Sequence, residues 1–157
     1  KHFPGQGATA GDSHDGAVST DKSLDDLLAN ELVPFQQAVN NGASFVMVGH
    51  ISAPAVTGDD TPASLSSVMV TDVLRNQLGF HGVVITDAMN MGAVTGTYSS
   101  ADAAVTAIQA GVDMILMPQD YETAYNGLLQ AVQDGTITEE RIDESVERIV
   151  KVKLQMQ

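Results

Sequence analysis

Three stretches of nearly unbroken apolar residues punctuate the chain: ASFVMVGH at 43–50, HGVVITDA at 81–88 and VDMILMPQ at 112–119. Their shortness and lack of polar alternation predict strands buried on both faces, as in a parallel sheet. Between them the apolar positions recur with a helical period. Over 23–42, Leu32, Phe35 and Val39 share a face, Ser23 with Asp26 three residues on makes a capping-box-like start, and Gly42 supplies a stop. Over 66–79, Val70, Leu74 and Leu78 fall at i, i+4 and i+8 and the pattern ends at Gly79. An Ala-rich helix is predicted from Ser99 or Ser100 to Gly111, and another carries Ala124, Leu128 and Val132 before Gly135. A last helix starts at Thr138, with Glu139 and Glu140 in its first turn and lysines in its last, a charge order that suits the helix dipole.

The predicted order is helix, strand, helix, strand, helix, strand, helix, helix. Strand starts near 43, 82 and 113 are roughly 30 to 40 residues apart, the pitch of βαβ units. Nothing in 1–157 reads as a linker. Three strands apolar on both faces make a poor sheet alone, because their edges stay unpaired. The expectation is a single partial domain spanning 1–157: α/β, the C-terminal half of a (β/α)8 TIM-type barrel, with the N-terminal half as its absent partner.

Composition narrows this little. Of 157 residues, 43% are hydrophobic, enough for a sizeable core, and with no Trp the core must be aliphatic. A net charge of −13 makes nucleic acid and anionic membrane surfaces poor partners. The absence of Cys excludes disulfides and thiolate chemistry and leaves the compartment open. No apolar run is long enough to span a membrane. The chain does not begin with Met, so the lack of a leader at Lys1 carries no weight.

In a (β/α) barrel, functional residues gather where strands end. His50 follows the first strand, Asp87 the second and Asp120 the third. The opening KHFPGQGATAGDSHDG reads as a Gly-loosened loop that follows another strand; it holds Lys1, His2, Asp12 and His14 but one large apolar residue, Phe3. An Asp after a strand ordinarily caps the next helix. Here a flexible loop, NMGAVTGTYSS, separates Asp87 from the next predicted helix, which weakens that role. Asp12, two residues from His14, can hold one imidazole nitrogen and raise the basicity of the other. The bland alternative for this pair is a polar surface loop. Asp12, His14, Asp15, His2 and His50 are also residue types that zinc or manganese accept, yet no regular spacing such as H-x-x-x-H is present. No metal or other cofactor is expected. Met47, Met69, Met114 and Met117 read as core filler, and His81 as a surface residue at the opposite strand end.

KHFPGQGATAGDSH, TPASLS…LRNQLGFHGVVITD and TDAMNMGA together resemble glycoside hydrolase family 3, most closely its β-N-acetylhexosaminidase branch, from Lys1 to about Lys153. The resemblance implies a retaining exo-β-N-acetylglucosaminidase acting on β-linked GlcNAc glycans such as peptidoglycan fragments. It makes Asp87 the nucleophile, His14 the general acid/base and Asp12 the residue that orients His14. It puts Lys1 and His2 on sugar hydroxyls; His50, Met89 and Met91 are further candidates for the substrate pocket. Retaining glycosidases need an attacking carboxylate and a group that first protonates the leaving oxygen and then activates water. A His tuned by an Asp can do both, and Gly5, Gly7 and Gly11 would let the loop move over substrate. The chain departs from the family pattern at Gln6, often His, and at Ala88, often acidic. The absent half of the barrel is expected to supply further sugar-binding residues. Two other readings use the same sequence: a phosphorylase in which phosphate replaces water, and an inactive half-barrel that pairs with another half.

Overall fold

The computed structural model describes residues 1–9 and 16–156. In chain order the elements are β1 (Val18–Ser19), α1 (Leu24–Ala29), α2 (Val33–Asn40), β2 (Phe45–Val48), β3 (Ile51–Ser52), α3 (Pro54–Thr57), β4 (Val83–Ala88), α4 (Gly92–Thr95), α5 (Ser100–Ala110), β5 (Met114–Leu116), α6 (Tyr121–Gln133) and α7 (Glu139–Gln155). A π-helical segment, Val68–Gln77, lies between α3 and β4.

The three apolar runs form one parallel sheet in the order β2-β4-β5. Phe45 lies opposite Val83 and Val48 opposite Thr86; Ala88 faces Leu116 after a register shift. On the outer side of β2, Phe3 makes a parallel bridge to Val48. A second parallel pair, β1 with β3, matches Val18 to Ile51. The result is α/β, parallel strands alternating with helices in the manner of a TIM barrel, and the sheet does not close on itself among the described residues.

Most helix ends follow the chemistry of their caps. The hydroxyls of Ser23, Ser99 and Thr138 accept the amides of Asp26, Asp102 and Arg141, starting α1, α5 and α7. The helix expected over 23–42 is two helices. Pro34 sits in the first turn of α2, where its missing N–H is harmless, but it could not continue a helix begun at Ser23. The expected helix over 66–79 is wound wider than an α-helix, with Leu78 N–H donating to the carbonyl of Val73 five residues back. That winding still keeps positions four and five apart on one face, and Met69, Val70, Val73, Leu74 and Leu78 are all buried. The segment after Asp87 is not simply loop, since α4 lies within it with Ala93 and Val94 buried.

The aliphatic core runs between the sheet, the π-helical segment and α5, with Phe3, Leu27 and Leu32 joining it from the N-terminal side. Met69 belongs to it; Met117, expected there, is exposed, because β5 ends at Leu116 and the chain turns through a positive φ at Met117. At the N-terminal end of β5 lies a feature with no forerunner in the sequence reading. Asp113, fully buried, accepts hydrogen bonds from Arg75 (2.7 Å), Arg148 (2.9 Å), Ser145 (2.7 Å) and the Val84 amide (2.9 Å). Arg141 donates to Ser145 and to the carbonyl of Val112 beside it. All three arginines of a strongly acidic chain converge on this carboxylate. They tie α7 and the π-helical segment to the ends of β4 and β5.

Candidate active site

Asp87 is the penultimate residue of β4, at the C-terminal end of the central strand, where neighbours on both sides hold it in place. Its side chain is 14% exposed. Oδ1 accepts the amide of Ala88 at 2.8 Å, and Oδ2 lies 3.5 Å from Nε2 of His2. No helix uses this carboxylate as a cap: α4 begins after Met91, with no side-chain cap at all. A carboxylate left at the strand end without a structural task is available for chemistry.

His2 reaches it through Phe3. The Phe3 amide donates to the carbonyl of Met47 (2.8 Å), its carbonyl accepts from Gly49 (2.8 Å), and its buried ring meets Phe35 edge-on with centroids 5.4 Å apart. The one large apolar residue of the opening stretch thus anchors that stretch against β2 and sets His2 beside Asp87. Lys1 is exposed and, with His2, Gly5, Gln6, Glu31 and Phe35, lines a cleft of about 470 Å³. Asp12, His14, Asp15 and Gly11 lie outside the described residues.

His50 departs from its expected place. It is 1% exposed, and both ring nitrogens are engaged: Nδ1 with Ser64 Oγ at 2.7 Å, Nε2 with the Ala88 carbonyl at 3.0 Å. A carbonyl only accepts, so Nε2 carries the proton and the Ser64 hydroxyl donates to Nδ1. Burial pushes this imidazole below its ordinary pKa of 6.5, against the opposing pull of the Ala88 carbonyl and Asp87 and with the help of His2. His50 therefore has no ring nitrogen to offer a substrate; it lies beneath the site. Met89 and Met91 are also buried, Met89 within the core, and neither lines the open cleft. Asp120 caps α6 by accepting the Thr123 amide at 2.7 Å and stays exposed. Among the described residues no group of three or more His, Asp or Glu is arranged to hold a metal ion. Ser64 was not foreseen: 14 residues separate it from His50, and no local motif marks the pair.

The model of the family described as "Glycosyl hydrolase family 3 N terminal domain" matches residues 1–152. The chain belongs to glycosyl hydrolase family 3. It is 37% identical over 161 residues to the β-hexosaminidase LpqI of Mycobacterium bovis BCG, covering 98% of this chain and 41% of that protein. A solved family 3 β-N-acetylglucosaminidase from Paenibacillus sp. FPU-7 superposes with a TM-score of 0.95 at 41% identity, covering 98% of this chain and 30% of that one. A structure titled as the β-glucoside phosphorylase BglX bound to 2FGlc gives a TM-score of 0.91 at 30% identity, covering all of this chain and 30% of that one. The chain spans between 29% and 41% of the length of the curated family 3 relatives it matches.

Proposed function

We propose that this chain carries the catalytic groups of a retaining exo-β-N-acetylglucosaminidase that removes terminal GlcNAc from β-linked glycans such as peptidoglycan fragments. It would be the C-terminal half of the catalytic barrel, 1–157 forming a single partial domain. The observation that carries the reading is Asp87: a carboxylate at the end of a central parallel strand, beside a His and free of any capping role. The family and the names of the relatives support the substrate class. In this reading Asp87 attacks the anomeric carbon while His14, oriented by Asp12, protonates the leaving oxygen. A glycosyl-Asp87 ester forms, and His14 then takes a proton from the water that hydrolyses it. Lys1 and His2 bind sugar hydroxyls, and the absent half of the barrel completes the grip on substrate.

The test uses the complete protein that carries this chain. Asp87→Ala should lower turnover of an aryl β-GlcNAc by about three orders of magnitude or more, and a 2-fluoro sugar should label Asp87. His14→Ala should impair natural GlcNAc linkages far more than a dinitrophenyl glycoside, whose leaving group departs unprotonated. Azide, which needs no base, should restore turnover with formation of a β-glycosyl azide. Labelling of another residue, or equal losses on both leaving groups without azide rescue, overturns the assignment.

The similarity to the protein titled as a β-glucoside phosphorylase keeps a second reading in view. A His acid/base repels phosphate less than a carboxylate would, so phosphate could attack the glycosyl-Asp87 ester to give a sugar 1-phosphate. Rates with phosphate and with water alone, compared side by side, separate the two.

A further inference from the structure

Buried histidines with both nitrogens committed usually serve packing. His50 differs in what it holds. Its Nε2 proton goes to the carbonyl of Ala88, the residue whose N–H in turn holds Oδ1 of Asp87 at 2.8 Å. Its Nδ1 accepts a hydrogen bond from the hydroxyl of Ser64, a fully buried residue in the turn after Pro62. The Ser64 amide donates to the carbonyl of Gly49, next to His50, so the serine and the histidine are locked by two bonds. On the other side of β4, the Thr86 hydroxyl accepts the amide of Leu116, and the amide of Met89 reaches the Leu116 carbonyl. The main chain from Thr86 to Met89 is therefore gripped from both sides. β5 holds one side by its backbone; on the other the β2–β4 pairing ends at Val48 and Thr86, and the side chain of His50, two residues past β2, reaches the Ala88 carbonyl.

We propose that His50 and Ser64 are positioning residues: together they fix the Ala88 main chain, so that its N–H pins Oδ1 of Asp87 and leaves Oδ2 aimed into the site. This rests on the reading of Asp87 as nucleophile. A pinned carboxylate meets the anomeric carbon without first losing rotational freedom, and small misplacements of reacting groups are costly to rate. The imidazole suits the task because its two nitrogens can be a donor and an acceptor at once: the Ala88 carbonyl requires the proton on Nε2, and the Ser64 hydroxyl, donating to Nδ1, holds the ring in place.

The experiment uses the complete protein and a dinitrophenyl β-GlcNAc glycoside, with the pre-steady-state burst reporting glycosylation of Asp87. His50→Leu, which lacks a donor, should lower the burst rate by about 10- to 100-fold, the size expected of a displaced reacting group, with KM little changed. His50→Gln, whose amide N–H can replace Nε2–H, should recover most of that loss. Ser64→Ala keeps the ring but removes the hydroxyl that holds Nδ1, and should lower the burst rate with KM little changed; 15N spectra of the imidazole should show the proton on Nε2 in the native protein. These spectra do not depend on turnover and remain readable if His50→Leu fails to fold. Equal losses in the Leu and Gln variants, no loss in either, or a native imidazole protonated on Nδ1 overturns the proposal. Asp87→Asn separates the two ideas: if it retains native turnover, the nucleophile assignment fails whatever the His50 variants do.

Discussion

At the scale of single residues, the site depends on side chains that are almost wholly enclosed. Phe3 is the clearest case outside the site itself. Its ring is buried against Phe35 while its backbone bonds to β2, and His2 stands where it does because Phe3 is held. Phe3→Ala should cost about 3–5 kcal/mol of stability, as loss of a buried aromatic ring does. The variant should also bind substrate more weakly; a urea midpoint together with KM checks both. His50 makes a pH prediction. Its folded pKa lies below 6.5 while the unfolded chain titrates near 6.5, so on acidification the unfolded state takes up this proton first. The stability that His50 supports is complete above about pH 6.5 and is lost as pH falls below that value toward the folded pKa. Denaturation of the complete protein between pH 7 and 5 should show this slope, and His50→Gln should flatten it.

At the scale of elements, the two ends of the strands do different work. The N-terminal end is clamped by Asp113 and the three arginines. Asp113→Ala strands three partly buried guanidinium groups and leaves the Val84 amide unpaired, so it should destabilise by about 3–5 kcal/mol. KM for the glycoside should stay unchanged, because the site lies at the opposite end. Asp120, though it follows β5 at the functional end, is the cap of α6. Asp120→Ala should cost about 1 kcal/mol of stability and nothing in kcat, which a denaturation curve and an aryl-glycoside assay measure together. Gly127 marks a close approach of α6 to α5: a Cβ there would come within 2.6 Å of the Cβ of Ala101. An alanine gains about 1 kcal/mol of helix propensity but forces the helices apart. The clash outweighs the gain, since the contact is with the stub of a neighbouring helix and no flexible side-chain end can move aside.

At the scale of the whole molecule, the folded chain presents apolar surface among its described residues. Val146, Val150 and Leu154 recur every fourth residue along α7 and are exposed, as is Phe45 on β2. The outer edge of β5 is unpaired among the described residues. Residues 1–157 produced alone should therefore self-associate and bind a hydrophobic dye, whereas the complete protein should do neither. Light scattering after size exclusion decides this, with a monomer that leaves the dye dark counting against it. The charge of −13 opposes association, so raising the salt should enlarge the assembly by screening the repulsion.

The period of the apolar runs alone determined that this is a parallel α/β fold, because a strand buried on both faces cannot alternate and a helix on a sheet must show one apolar face. The caps at Ser23, Ser99 and Thr138 were legible too, being local hydrogen bonds between residues three apart. So was the placement of Asp87 at a strand end, since it follows directly from where the apolar run stops. What the sequence could not contain was anything made by distance. The break of the first helix at Pro34 is local proline chemistry, but the wide winding of 68–77 and the short helix after Met91 depend on how each segment meets the core. The clustering of Arg75, Arg141 and Arg148 on Asp113 joins residues up to 73 positions apart through folding alone. His50 shows the distinction most sharply. A histidine after a strand looks like a ligand for substrate, and only the tertiary structure, by closing Ser64 over one nitrogen and Ala88 over the other, turns it from the substrate toward the main chain.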